Sequence, residues 1–332
     1  SQDDFAAATA SMSEGLILLN DKCTILSINK AATVLLDTDQ HCVGQNILTV
    51  NRDLELQDVL SKALNGEQNE IILDLHDGHY QISASPVISD STVSGIALLI
   101  FDVTEKENAE QMRREFTANV SHELRTPLHS ISGYAELLKN GMVKTGDIRP
   151  IASKIYGEAQ RMVQLVEDII NLSHLDEGAE DMLREKVDMF EIVKATVQSL
   201  EPEAESADVS INMTGEQAVI TGVPQLLGGI VYNLCDNAIK YNHKGGRVSI
   251  SLKSSPNEVI LTVSDNGIGI PAEDQNRIFE RFYRVDKSHS KEVGGTGLGL
   301  SIVKHSAKIH NAKISLESTV GKGTTITVRF PK

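Results

Sequence analysis

The hydrophobic pattern of this 332-residue chain divides it into three parts. Up to about residue 103, short apolar runs alternate with short polar segments, which predicts strands and a few short helices. Over residues 104–180, apolar residues recur every three, four or seven positions, which predicts two long helices separated near Gly141. From residue 181 onward, helix and strand patterns alternate, so the third part is predicted to be mixed α/β.

In the first part, the turn Asp77-Gly78 predicts a hairpin between two of the strands. The predicted strands are Gly15–Asn20, Cys23–Asn29, Glu70–Leu75, His79–Val87 and Val93–Asp102. Predicted helices lie around Ala31–Leu36 and in the segment that ends at Gly66. This order of elements, with Asn29 after the second strand and Asp102-Val103-Thr104 at the exit, resembles a PAS domain.

The PAS resemblance implies short helices over a curved antiparallel sheet, with a space that can hold an unknown small ligand. The sequence identifies no such ligand, and a dimerising, signal-relaying PAS domain without a cofactor is the preferred interpretation. Cys42 lies in a context unlike the cysteine motif of flavin-binding relatives. His76 and His79 flank the hairpin turn, but two exposed turn histidines are more often incidental than metal ligands, so no metal is predicted there.

Residues 104–114 are charge-rich and lack glycine and proline, which predicts a continuous helix that leads into the segment around His122. His122 lies about 200° round that helix from Val120 at ~100° per residue, so it is predicted to point away from the apolar face. An exposed histidine beside an acid, Glu123, is a candidate nucleophile. Pro127 removes the hydrogen bond to the Glu123 carbonyl, which predicts a bend or loosening at His122.

The segment Ser121–Leu128 reads S-H-E-L-R-T-P-L, which resembles the phosphoacceptor box of sensor histidine kinases. The resemblance implies that His122 accepts a phosphoryl group and that Glu123 orients the imidazole and accepts its proton. It implies also that Thr126 positions water for a reverse phosphatase reaction. The alternative is a solvated histidine on an ordinary surface helix.

Each of the two long helices carries an apolar stripe, and one hairpin cannot bury both stripes. We therefore predict a homodimer joined by an antiparallel four-helix bundle. A monomer whose hairpin packs on its own C-terminal domain is the alternative. Transfer within a subunit or across the dimer depends on the handedness of the turn near residues 141–146.

In the third part, the first candidate functional residues lie on a helix that is predicted to begin near Pro224. Asn233, Asn237, Lys240 and Tyr241 are spaced so that they share one arc of this helix. Amide oxygens suit Mg²⁺, a lysine suits phosphate, and an aromatic ring can stack on a base. Polar helix arcs are more often simply solvated, so this arc indicates a nucleotide site only in combination with the glycine-rich stretches later in the chain.

Asp265 closes a strand over residues 259–263, and its carboxylate can accept a hydrogen bond from an exocyclic amine such as that of adenine. Gly267 and Gly269 come next, where glycine lets the backbone approach a flat ligand. Thr324 lies in a later Gly-Lys-Gly-Thr turn, for which a plain hairpin is the alternative. A further glycine-rich turn leads into a helix whose N-terminal amides favour phosphate. Its candidate residues are Gly295, Thr296, Gly297, Leu298 and Gly299.

With FERFYRVD at Phe279–Asp286, these stretches resemble in order the boxes of the histidine-kinase ATPase domain, whose fold is shared with Hsp90, gyrase B and MutL. The resemblance implies an α/β sandwich that binds ATP and Mg²⁺. In that family, the residues that match Asn233 and Asn237 hold the metal.

The same resemblance implies that Lys240 and Arg284 meet the phosphates. It implies also that Tyr241 packs beside the base and that Asp265 recognises adenine. The polar segment Arg284–Val293 is predicted to be a mobile lid over the nucleotide.

The predicted protein is a multidomain α+β chain: a PAS sensor domain (1–103), a signalling helix with a dimerisation and phosphotransfer hairpin (104–180), and a catalytic ATP-binding domain (181–332). The predicted function is ATP-dependent autophosphorylation of His122, then phosphotransfer to an aspartate of a response-regulator receiver domain, with phosphatase activity toward it. An ATP-driven conformational clamp of the same superfamily is the alternative, against which the segment around His122 argues. A binding module with a dead nucleotide site is the third interpretation, against which Asn237 and Asp265 argue.

The net charge of −15 argues against nucleic acid or an anionic membrane surface as the main partner. Three cysteines without CxxC spacing predict reduced, buried thiols. The longest apolar run, Ile96–Phe101, is too short to span a membrane. From the resemblance we expect the cytoplasmic portion of a protein that is anchored in the bacterial cell membrane by a segment outside this sequence.

Overall fold

The computed structural model of the protein describes residues 9, 11–75, 78–176, 182–285 and 295–332. It contains two compact units, Ser1–Glu115 and Phe116–Lys332. The domain boundaries at residues 103/104 and 180/181 stay predictions.

One antiparallel sheet organises the first unit, and its strand order is β2-β1-β5-β4-β3. The strands are β1 (Gly15–Asn20), β2 (Ile25–Ile28), β3 (Asn69–Leu75), β4 (Gly78–Ser89) and β5 (Thr92–Asp102). The helices α1 (Lys30–Leu35), α2 (Ile47–Val50) and α3 (Leu54–Leu64) lie between β2 and β3 in the chain. The predicted strands and helices are confirmed within a few residues, whereas the short helix α2 was not predicted.

The buried side chain of Asn29 connects β1 to the start of α1 through hydrogen bonds. Its Oδ1 accepts hydrogen bonds from the amides of Leu16 and Ala32, both at 2.9 Å. Its Nδ2 donates to the carbonyl of Glu14 at 2.9 Å. A buried amide that makes all three bonds satisfies its own polar atoms and caps the helix as well. The predicted turn before β4 includes Asp77, which lies outside the described residues.

A long helical hairpin follows the first sheet in the chain. Helix α4 (Thr104–Lys139) begins after β5 and confirms the predicted continuous helix into the segment around His122. It stays helical through Pro127, and a bend at His122 stays a prediction. Gly141 ends the helix with φ 64°, and its amide donates to the carbonyl of Leu138 at 3.2 Å. Helix α5 (Ile148–Asp176) then returns.

The rest of the second unit is a mixed sheet with helices packed on it. Its strand order is β11-β12-β10-β9-β7, with β7 parallel to β9 and the other pairs antiparallel. The strands are β6 (Glu185–Asp188), β7 (Val209–Gly215), β8 (Val219–Gly222), β9 (Gly246–Ser254), β10 (Glu258–Asp265), β11 (Lys313–Thr319) and β12 (Gly323–Pro331), and β6 pairs with β8. The helices are α6 (Met189–Ser206), α7 (Pro224–Lys240) and α8 (Gly299–Ile309).

One hydrophobic core joins these helices to the sheet. It includes Leu227 and Ile230 of α7, Val303 of α8 and Val248 and Leu261 of the sheet, each 0% exposed. A layer of helices over one face of a sheet is the predicted α/β sandwich.

The cysteines Cys23, Cys42 and Cys235 are free and buried, as predicted. Burial raises the pKa of the Cys235 thiol to about 12, so this side chain acts as a small hydrophobe. Within the described ranges, no helix is both long and apolar enough to cross a bilayer.

Candidate active site

A cavity of about 400 Å³ lies in the second unit, between α7, the end of β10, the loop before α8 and one face of α5. This volume is typical of small-molecule sites. Most of the predicted nucleotide-binding residues meet there. They are Asn233, Asn237, Lys240, Tyr241, Asp265, Gly269, Arg284, Gly295, Thr296, Gly297, Gly299 and Thr324.

Helix α7 supplies the predicted metal ligands. The Nδ2 atom of Asn233 donates to the carbonyl of Gly229 at 2.8 Å, which fixes the orientation of its amide. Its Oδ1 faces Gly299, where a Cβ atom would lie only 2.5 Å away. Glycine at the first position of α8 therefore lets this loop approach the Asn233 oxygen. Hard amide oxygens from Asn233 and Asn237, on one wall of the cavity, fit Mg²⁺.

Lys240 is held at the end of the same arc. Its Nζ lies 2.7 Å from Oδ2 of Asp236, one turn earlier on α7. An (i, i+4) pair of this kind is weak by itself, about 0.3–0.5 kcal/mol, but it orients the ammonium group along the cavity wall. Sequence reasoning identified Lys240 and overlooked Asp236, although the spacing within the helix was available to find it.

Asp265 lies at the carboxyl end of β10. Its Oδ1 accepts hydrogen bonds from the amides of Gly267 at 2.8 Å and Thr324 at 3.2 Å. Burial raises the pKa of this carboxyl group, and the two amide bonds oppose that rise. Both bonds end on Oδ1, so that Oδ2 can accept a bond from a ligand.

The two glycines after Asp265 have different roles. Gly267 contributes its amide to Asp265 and is not among the described residues that line the cavity. Gly269 has φ 70°, and a Cβ atom there would lie 2.1 Å from the carbonyl oxygen of Thr319. Only glycine fits this close approach to the turn before β12.

The loop before α8 carries the predicted phosphate contacts. Thr296 Oγ1 accepts from the amide of Leu298 at 3.3 Å and donates to Oδ2 of Asp168 at 2.7 Å. Leu298 is completely buried in an apolar cluster with α5, and it is not one of the described residues that line the cavity.

The segment around Arg284 is anchored beside the cavity by Tyr283. The Tyr283 hydroxyl donates to Asp274, and the Arg277 guanidinium lies 4.3 Å from the Tyr283 ring centroid. Burial lowers the pKa of Arg284, with a smaller lowering from the charge of Arg161. The remainder of the predicted lid, from Asp286 through Val293, and Gly294 lie outside the described residues.

The candidate phosphoacceptor lies on α4, where His122 is exposed as predicted. Thr126 Oγ1 donates to the His122 carbonyl at 3.3 Å, so the two residues share a face. Glu123 Oε2 lies 3.8 Å from Nη2 of Arg161 on α5, a partner that sequence reasoning did not single out. His122 is not among the described residues that line the cavity.

The helical hairpin and the nucleotide-binding half touch through a small mixed interface. Its apolar part joins Leu165, Leu172 and Leu175 of α5 to Leu298, directly before α8, and to Ile302 of α8. At its edge, the rings of Phe116 and Phe282 lie 5.7 Å apart, centroid to centroid. Arg281 donates to Oδ1 of Asp176 at 2.6 Å. The sequence could not reveal these pairs because their members are far apart along the chain.

Comparison with known families matches two segments of the chain. Residues 112–178 match the His Kinase A (phospho-acceptor) domain. Residues 222–332 match the histidine kinase-, DNA gyrase B-, and HSP90-like ATPase. The second unit therefore combines the two domain types that the sequence predicted.

Relatives that resemble the whole chain include the sensor protein kinase WalK of Staphylococcus aureus. It is 33% identical over 329 residues, which cover 96% of this chain and 79% of that protein. WalK of Staphylococcus saprophyticus has the same identity over 329 residues, which cover 96% of this chain and 53% of the relative. The chain thus spans about half the length of the WalK relatives from S. saprophyticus and Staphylococcus haemolyticus.

Solved structures of similar fold include the histidine kinase AdeS of Acinetobacter baumannii. The TM-score is 0.53 at 23% identity, over 63% of this chain and 97% of that one. The histidine kinase ThkA, in complex with the response regulator protein TrrA, gives a TM-score of 0.52 at 19% identity over 98% of both chains. At these identities, the likeness concerns the fold alone.

Proposed function

The chain belongs to the sensor histidine kinases, and from that premise we propose that it transfers the γ-phosphoryl group of ATP to His122. The observation that carries the proposal is the cavity that collects Asn237, Lys240, Asp265 and the loop before α8. An exposed histidine on the hairpin of the same unit is the matching acceptor.

In the proposed reaction, the bond between the γ-phosphorus and the β,γ-bridging oxygen breaks and a phosphorus–nitrogen bond to the His122 ring forms. ADP leaves. Glu123 orients the ring and takes up its proton, and its carboxylate is held toward α5 by Arg161. Lys240 and Arg284 face the phosphates as charge develops on the oxygens.

Adenine recognition is assigned to Asp265 through its Oδ2, with Tyr241 packed beside the base. Asn233 and Asn237 would hold Mg²⁺, because their amides lie on the cavity wall and the Oδ1 atom of Asn233 faces Gly299 at the end of the loop before α8. When bound, the metal ion offsets the negative charge of the phosphates.

The phosphoryl group then passes to an aspartate of a response-regulator receiver domain, which is the proposed protein partner. The structural neighbour ThkA was solved in complex with the response regulator protein TrrA, which supports this class of partner. Thr126 is proposed to position water for the reverse phosphatase reaction, since its hydroxyl lies on the His122 face of α4.

We propose that the first unit is a PAS domain. The support is its five-stranded antiparallel sheet, in the order β2-β1-β5-β4-β3, with α1, α2 and α3 inserted between β2 and β3. The ATP-driven clamp is less favoured, because a clamp has no use for the phosphoacceptor segment that residues 112–178 match.

Incubation with Mg²⁺ and γ-³²P-labelled ATP tests the transfer. We expect the unaltered chain to acquire an acid-labile, alkali-stable phosphate, and His122→Ala to lose it. Binding of ATP to His122→Ala should stay within about twofold, because the imidazole is not part of the described cavity lining.

His129 provides a matched control, since it is exposed on the same helix seven residues further on. His129→Ala should still be labelled. Labelling that survives in His122→Ala, or that disappears equally in both variants, would contradict the assignment of the acceptor.

A further inference from the structure

One wall of the nucleotide cavity comes from outside the ATPase segment. Gln164 and Asp168 of α5 line the cavity together with residues of α7 and the loop before α8. Asp168 is only 7% exposed. Its Oδ1 accepts from Nε2 of Gln164 at 2.9 Å, and its Oδ2 accepts from Oγ1 of Thr296 at 2.7 Å. A carboxylate of the helical hairpin is thus held against the predicted phosphate-binding loop.

The polar and charged groups around Asp168 are the same groups that the proposed function assigns to phosphate binding. Burial raises the pKa of the Asp168 carboxyl group, while the Thr296 and Gln164 bonds and the nearby Lys240 ammonium oppose that rise. Lys240 and Thr296 both line the cavity. Asp168 therefore already presents an anion to a hydroxyl and a cation that the proposed function assigns to phosphate.

We infer that Asp168 is a specificity-determining residue of the nucleotide site, which weakens binding in proportion to the negative charge of the phosphate chain. The inference rests on the proposed function. A triphosphate competes with the carboxylate for Thr296 and Lys240, and charges of the same sign repel more strongly at a carboxylate that is only 7% exposed than they would in water. By reciprocity, a bound triphosphate weakens the hold of α5 on the loop before α8.

A purely structural role for Asp168 makes a different prediction. If its bond to Thr296 serves only to fold the loop, loss of the bond weakens adenosine, ADP and ATP alike. Charge competition affects the three ligands unequally, because adenosine carries no phosphate.

The test measures binding of adenosine, ADP and ATP to the full chain by calorimetry in the presence of Mg²⁺. Asp168→Asn keeps the shape of the side chain and removes its charge. We expect ATP to bind roughly tenfold more tightly, ADP to gain less, and adenosine to stay within about twofold. Asp168→Glu, which keeps the charge, should not bind ATP more tightly than the unaltered chain.

Glu167→Gln is the matched control, since Glu167 is the preceding residue on α5 and is exposed. Solvent screens its charge, so ATP affinity should change by less than about twofold. If Asp168→Asn folds poorly, Asp168→Ser removes the same charge with a smaller side chain and takes its place.

Equal changes for all three ligands, or no gain for ATP in either neutral variant, would overturn the inference while the proposed function stands. If the unaltered chain binds neither ADP nor ATP, both the proposed function and the role of Asp168 fail.

Discussion

Asp265 is the residue whose chemistry is most directly testable. Both of its described bonds end on Oδ1, which leaves Oδ2 for a ligand amine. We expect Asp265→Asn to weaken ATP binding about 10- to 100-fold, because a hydrogen bond to a charged group contributes about 1.5–3 kcal/mol. Titration calorimetry with ATP measures the change.

Inosine triphosphate is the ligand control for Asp265. It carries an oxygen where adenine carries the amine, so the unaltered chain should bind it more weakly than ATP. In Asp265→Asn, this preference should shrink. A preference for ATP that remains undiminished in the variant would remove adenine recognition from Asp265.

His310 is a buried histidine outside the proposed chemistry. Its Nε2 accepts from the amide of Val223 at 3.0 Å, and its Nδ1–H donates to the carbonyl of Ser306 at 2.7 Å. This pattern requires a neutral ring. Burial lowers the pKa of His310, and the Arg184 charge lowers it further, whereas the bond to Ser306 acts in the opposite direction.

A lowered pKa in the folded state fixes the sign of the pH effect. The unfolded chain binds the proton more readily, so the stabilisation by His310 is complete above about pH 6.5 and is lost as the pH falls below that value. His310→Gln should therefore be less stable at neutral pH and should show a flatter loss of stability toward about pH 5.5. Calorimetric unfolding of both chains as a function of pH measures the difference, with His129→Gln as the exposed control.

At the scale of single residues, local spacing revealed what lies within one element. Asn233, Asn237 and Lys240 could be found because a helix brings residues four and seven apart to one wall. Asp168 could not be found, since its partner Thr296 is 128 residues away and only the packing of α5 against α8 joins them. Leu298 was included through its motif, although its side chain serves the apolar interface.

At the scale of elements, α5 has two apolar faces. Leu165, Leu172 and Leu175 form the face that packs in the cluster with α8. The other face carries Val166 and Ile170, 43% and 50% exposed, with Val163 a turn earlier. Along α4, which the structure describes from end to end, only Pro127 is buried. Apolar stripes of this kind need a covering partner, and we propose that a second copy of the hairpin supplies it in a four-helix bundle.

The dimer proposal predicts a change of mass in solution. The unaltered chain should be a dimer by light scattering, and Val166→Glu combined with Ile170→Glu should shift it toward the monomer, because two buried carboxylates oppose association. Asn171→Glu places a single carboxylate at the next exposed position of α5 and should leave the dimer intact, as a control for added charge outside the apolar face. A monomer for the unaltered chain at micromolar concentration would contradict the bundle.

The extent of most elements could be predicted because periodicity and turn residues act locally. The turn from β4 to β5 shows the limit: Asp90 and Ser91 both adopt positive φ, 50° and 65°, without a glycine to signal it. The short helix α2 was not predicted because its single turn depends on the side chain of Asn46, whose Oδ1 accepts a hydrogen bond from the amide of Leu48 at 3.0 Å.

At the scale of the second unit, the interface between hairpin and nucleotide-binding half is suited to reversible docking. A few leucines form its centre, and Asp176 and Arg281 pair at its edge with 43% and 28% of their side chains exposed. Partly exposed ion pairs contribute only about 0–1 kcal/mol. The proposed transfer requires such release, because His122 is absent from the described lining of the cavity.

Helix α4 has 36 residues, which at ~1.5 Å each correspond to a helical length of roughly 54 Å. Every residue gained or lost before His122 would swing the imidazole about 100° round the axis relative to the first turn, while about seven would return it almost to its starting azimuth. The number of residues before His122 therefore sets the angular position of the imidazole around the helix axis as well as its distance from the first turn. Substitution of side chains in those turns leaves this angular position unchanged, whereas insertion of a single residue changes it.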